Sequence, residues 1–148
     1  MKQTFRRRDL LRAGLALGAA TALPQARACE YFAAHLRITH PWTRATASGA
    51  RSAVLCMKFD EVTGADRLIA VETPVAAGAE MGGLLRGPKV DFPIPAGQES
   101  LLSEAGTFVR LVGLAVPLEV ARSYPLTLVF ERSGVIEASL NVDYTRFL

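Results

Sequence analysis

The chain has 148 residues, half of them hydrophobic and about a fifth charged, the balance of one soluble globular domain with a buried core. Its formal charge of +3 is a local effect: of 17 basic residues, Lys2, Arg6, Arg7, Arg8, Arg12 and Arg27 lie in the first 28, against Asp9 alone among the 14 acidic ones. The remainder holds 11 basic and 13 acidic residues, which gives no electrostatic case for binding nucleic acid.

Residues 1–28 read as an export signal. The run FRRRDLLRAG is followed by an apolar stretch from Ala13 to Leu23, too short to span a bilayer, and then by the small-x-small site Ala26-Arg27-Ala28. The paired arginines followed by leucines resemble a twin-arginine signal, with an ordinary secretory signal as the alternative. Either one sends a single domain, residues 29–148, to the periplasm. No other segment is apolar for long enough to cross a membrane.

Cys29 and Cys56 follow the signal. An oxidising compartment permits a disulfide between them. Cys29 has a second possible fate, as the lipid-bearing first residue of a lipoprotein, although Arg27 makes a poor lipidation box. Two cysteines alone do not fix the choice.

Short alternating runs separated by turn residues then follow, with no sustained helical period. Residues 36–42 alternate, placing Leu36, Ile38, His40 and Trp42 on one side. Strands are expected at 52–59, 67–72, 79–85 and 99–103, and residues 87–97, with three prolines, read as loop. In residues 107–114, Thr107, Val109 and Leu111 share one face, and Phe108, Arg110 and Val112 the other. An arginine in that second row must pair with a carboxylate, Glu80 or Asp91 being candidates, or reach water. Residues 124–130 and 136–144 supply the last strands. The whole predicts an all-β, antiparallel sandwich or barrel.

The ordered set ITHPWTRAT, SAVLCMKF, ADRLIAVETPVAAGAEM, PIPAG, GTFVRLVGLAVPL and YPLTLVFERSGVIEASLNVDY resembles the PCuAC-type periplasmic copper chaperones along nearly all of the chain after the signal. The resemblance implies a cupredoxin-like β-sandwich, binding of copper, chiefly Cu(I), and partners in cytochrome oxidase assembly. It implies a copper site of one histidine, a methionine further on, and a later His-x-Met pair, a ligand set that suits a soft ion. By the same resemblance the first histidine falls on Met81, and the pair falls on Phe108 and Arg110. The stretch between Met81 and Phe108 is shorter than the family pattern and holds no methionine. Met81 is the one remaining candidate ligand, because a phenyl ring does not coordinate copper and a guanidinium carries a permanent positive charge.

His40 reads as a buried, hydrogen-bonded structural histidine. His35, with Cys29 and a new amino terminus, could form an adventitious Cu(II) site. Met57 fits as core filler. Trp42 reads as a core anchor, with a surface patch shared with Arg44 as the lesser reading. No nucleophile elbow, HExxH run or phosphate loop occurs, and no enzymatic activity is expected. Two readings follow: a carrier of PCuAC type with most copper ligands lost, or a copper-independent periplasmic partner protein on the same sandwich.

Overall fold

The computed structural model describes residues 29–144, with the side chain of Tyr144 left aside. The expected signal segment, residues 1–28, lies outside the described residues. Among the described residues there are ten strands and no helix: β1 (Glu30–Phe32), β2 (Arg37–Arg44), β3 (Ser52–Asp60), β4 (Asp66–Glu72), β5 (Ala76–Gly83), β6 (Phe92–Ile94), β7 (Ser100–Leu102), β8 (Thr107–Leu114), β9 (Ser123–Phe130) and β10 (Gly134–Tyr144). Among the described residues no helix is long and apolar enough to cross a membrane.

The strands form one curled path, β5-β8-β3-β2-β10-β9-β4-β6, with β1 on β2 and β7 on β3. β3 makes the curl possible. Its first half, Ser52–Leu55, pairs with β8, and Met57–Phe59 pairs with β7, so one edge serves two neighbours. Pairing is antiparallel except between β2 and β10, which run parallel through Asn141–Trp42 and Val142–Thr43. That pair departs from the wholly antiparallel sheet expected. It joins strands about a hundred residues apart, which no local pattern announces.

The inward rows close a single core. Ile38, Leu55, Phe59, Leu68, Val109, Leu111, Leu126, Leu128 and Leu140 have no accessible surface. Phe59 meets the Phe130 ring edge-on at 6.0 Å and the Phe92 ring at 5.9 Å, a geometry that adds about 0.5–1.5 kcal/mol to simple burial. Residues 87–97, expected as loop, contribute β6, whose Phe92 and Ile94 face inward while Pro93 faces out. The alternation lets a proline sit in a three-residue edge strand. β5 begins at Ala76 and ends at Gly83, so Leu84 and Leu85 lie in the following turn and not in the strand.

Two polar fixtures hold the frame. The Asp66 carboxylate accepts bonds from the backbone N–H of Arg67, Arg132 and Ser133 and from Ser133 Oγ, tying the start of β4 to the β9–β10 turn. Burial alone would raise its pKa. The four hydrogen bonds together outweigh that and hold it below the usual carboxylate range. On the other side of the β3–β4 connection, Arg37 forms a fork on Asp60 at 2.7 and 2.9 Å, with Lys58 at 3.0 Å. The Arg37 hydrogen bond is the chief cause holding the Asp60 carboxyl low.

Candidate functional site

The strand β8 has the two faces its sequence predicts. Thr107, Val109 and Leu111 are buried in the core, and Phe108, Arg110 and Val112 are half-buried on the outer surface. Across the ladder, β5 sets Glu80 opposite Arg110 and Gly82 opposite Phe108, and β3 sets Val54 opposite Arg110. Arg110 Nη1 donates to Glu80 Oε1 at 3.3 Å, and its guanidinium lies 5.6 Å from the Phe108 ring centre. The ion pair is about one-third exposed, so it contributes roughly 0.2–1 kcal/mol. Asp91, the other candidate partner, pairs with Arg67 instead.

The Phe108 ring lies across Gly82. A Cβ built at Gly82 would come within 2.3 Å of Cε2 and 2.8 Å of Cζ, so the glycine is what lets the ring lie flat on β5. At the next residue, Gly83, φ is +75° and a Cβ would meet the Gly106 carbonyl oxygen at 1.9 Å, so glycine is required twice over.

Met81 does not join this face. It pairs with Val109 and is 2% exposed, pointing into the core. The structure therefore brings Phe108 and Arg110 together and leaves Met81 on the opposite side of the same sheet. A sheet alternates every residue, so a displacement of one position along β5 changes the face entirely. The β5 positions that do share the outer face with Phe108 and Arg110 are Glu80 and Gly82. Alternation through the AEMGG run would have found them once Glu80 was placed opposite Arg110.

The neighbouring part of the surface carries a second arginine–aromatic pair. Arg44 lies 6.0 Å from the Trp42 ring centre and grips Glu104 through Nε–Oε1 at 2.6 Å and Nη2–Oε2 at 3.1 Å. Trp42 thus lies on the outside, and the core-anchor reading is corrected. The cause is a bulge: Thr39 pairs with Lys58 and Trp42 with Cys56, three steps on β2 against two on β3. His40 absorbs the extra residue with φ of +52°. It is hydrogen-bonded as expected, through Nε2 to Asp143 Oδ2, but its side chain is 39% exposed and does not lie in the core.

Cys56, opposite Trp42, is buried, and burial, with the Glu104 carboxylate near it, pushes its thiol up to about 12. Cys29 and Cys56 are both free thiols, so the bridge considered from the sequence is not formed in this structure. The reason is positional. Cys29 leads into β1, where its carbonyl accepts the His40 N–H at 2.7 Å, while Cys56 lies on β3 across the other edge of β2. Two strand spacings amount to about 9–10 Å, beyond the reach of a disulfide. His35 is exposed in the β1–β2 connection, at the far end of that hairpin from Cys29. The two do not meet. Among the described residues no three His, Cys, Asp or Glu side chains cluster as a metal site.

The curled all-β sheet is a cupredoxin-like β-sandwich of PCuAC type. A family described as "Putative lipoprotein LpqE-like" matches residues 36–142, and the chain belongs to that family. The structure is similar to the copper-bound PCuAC domain from PmoF2, with a TM-score of 0.71 at 27% identity over 78% of this chain and 97% of that one. The apo PCuAC domain from PmoF1 aligns with a TM-score of 0.70 at 28% identity, covering 78% and 98% of the two chains. Apo-DR1885 from Deinococcus radiodurans shares the fold at 20% identity, with a TM-score of 0.62 over 99% of this chain and 98% of that one. No curated protein matches the sequence significantly.

Proposed function

We propose that this chain is an exported PCuAC-type domain that has kept the copper-chaperone scaffold and lost most of its copper ligands. The observation that carries this reading is the occupancy of the β5–β8 outer face. There Arg110 is paired with Glu80 and stacked near Phe108, and the Phe108 ring covers Gly82. None of these groups is a soft ligand, and a guanidinium at that position repels a cation. Met81, a thioether of the right chemistry, is turned into the core. Residues 108 and 110 and the β5 residues beside them do not fit a Cu(I) site, and no step of copper transfer is routed through them. The domain then works in the periplasm as a copper-independent partner protein, with no reaction of its own.

The test is competition for Cu(I) against a strong chelator, using the full chain. The reading expects the chelator to keep the copper. One Cu(I) held per chain would refute it.

A second reading is favoured by the likeness to the copper-bound PCuAC domain from PmoF2. In it the chain still carries copper, through other ligands, toward cytochrome oxidase assembly proteins. It requires Cu(I) binding that survives Arg110→Ala and Phe108→Ala. Export rests on Arg7 and Arg8: replacing both with lysine should leave the precursor inside the cell if the twin-arginine route is used. Normal delivery of that variant would remove the twin-arginine assignment.

A further inference from the structure

The turn after β5 is built to hold two leucines in water. Leu84 is 82% exposed, the highest value among the large hydrophobic residues described, and Leu85 is 48% exposed. This is not slack chain. Met81 and Gly87 exchange both backbone hydrogen bonds across the turn, at 2.9 and 3.2 Å. The Leu84 N–H donates to the Gly106 carbonyl at 3.3 Å, and Gly83 takes the left-handed backbone the turn needs. The base of the turn rests on the Phe108 ring through Gly82. The tip is thus fixed, with its apolar side chains directed outward at no further ordering cost.

Charge completes the pattern. From Met81 to Val90 the sequence MGGLLRGPKV contains Arg86 and Lys89 and no acidic residue. Both cations are exposed, and neither makes an ion pair among the described residues. The carboxylates on either side are already neutralised, Glu80 by Arg110 and Asp91 by Arg67. A projecting pair of leucines with unneutralised cations beside it matches the interface of an anionic bilayer, where apolar side chains enter the headgroup region and each nearby cation adds to the attraction. A protein partner would be expected to present concave complementarity and to seek aromatic or hydrogen-bonding anchors. This tip has neither an aromatic residue nor a polar side chain between Met81 and Leu85.

We propose that residues 84–89 form a membrane-docking tip, which inserts Leu84 and Leu85 into the surface of an anionic phospholipid bilayer while Arg86 and Lys89 contact lipid phosphates. The attachment is weak and reversible, suited to orienting the domain against a bilayer with its β5–β8 face near the lipid. The inference does not depend on whether copper is bound.

The experiment is hydrogen exchange on the full chain, with and without vesicles of mixed phosphatidylglycerol and phosphatidylcholine. It reads the tip directly, so attachment through residues 1–28 does not mimic the result. Amides of residues 84–89 should exchange several-fold more slowly with the anionic vesicles. They should be unaffected by phosphatidylcholine alone, and high salt should reverse the protection. Leu84→Ser with Leu85→Ser should abolish the protection without lowering the melting temperature, because both side chains are exposed. Arg86→Ser with Lys89→Ser should abolish the preference for anionic lipid. Unchanged exchange at 84–89 on vesicle-bound protein would overturn the proposal and leave a protein partner as the occupant. Absence of vesicle binding, or protection that persists in the double-serine variant of the leucines, would also overturn it.

Discussion

Phe108 lies so close over Gly82 that any side chain at Gly82 would enter the ring, with a Cβ 2.3 Å from Cε2. The contact spans the β5–β8 ladder and fixes where the phenyl ring can sit. Gly82→Ala should therefore displace the ring and cost about 1–2 kcal/mol. In the Phe108→Ala background the same change should cost much less, since nothing remains to displace. Urea denaturation of the four proteins gives the coupling, expected at about 1 kcal/mol. Strict additivity would show that the ring moves aside freely.

Asp66 governs the response to acid. Its carboxyl is held below the ordinary range when folded, so the stability it contributes is fully present above the unfolded carboxylate pKa. That contribution is lost as pH falls through the depressed folded value. Unfolding midpoints measured from about pH 6 down to about pH 3 should fall steeply for the native sequence, with Asp60 adding in the same direction. Asp66→Asn should be less stable at neutral pH by about 1–3 kcal/mol and should show a shallower fall. An unchanged slope would remove Asp66 from the account.

The two thiols should behave differently. Cys29 is partly exposed, and Cys56 is buried with its thiol pushed up to about 12. Alkylation of the folded protein near neutral pH should label Cys29 readily and Cys56 only on unfolding. Mass spectrometry of the labelled peptides distinguishes the two. Absence of free thiols after denaturation without reductant would establish a bridge, and would require β1 to leave its place on β2.

Much of this architecture is legible locally. The alternation in Thr107–Val112 gives both faces of β8, and the isolated charge of Arg110 calls for a carboxylate that Glu80 supplies. What fails is phase. The bulge at His40 carries no glycine to mark it, and its one extra residue carries Trp42 from the inner row to the outer. Met81 is a ligand candidate by resemblance, and the fold sets it opposite Val109 with its side chain in the core; in a strand one residue is the difference between core and surface. The parallel β2–β10 pair and the three-residue β1 depend on contacts made only in the closed fold.

The most direct measurement is Cu(I) affinity, by chelator competition, of the native sequence and of two rebuilt variants. The native protein should lose its copper to the chelator, because Phe108 and Arg110 occupy the outer face and Met81 faces inward. Gly82→His with Phe108→His and Arg110→Met places three soft or imidazole ligands on one face of adjacent strands, and should bind Cu(I) by at least about tenfold more tightly, about 1.4 kcal/mol. Replacing Gly82→His by Met81→His in that set should add no such affinity and should destabilise the fold, since an imidazole would enter the core. Tight binding of one Cu(I) by the native protein, or a gain that comes from Met81→His and not from Gly82→His, would contradict the account.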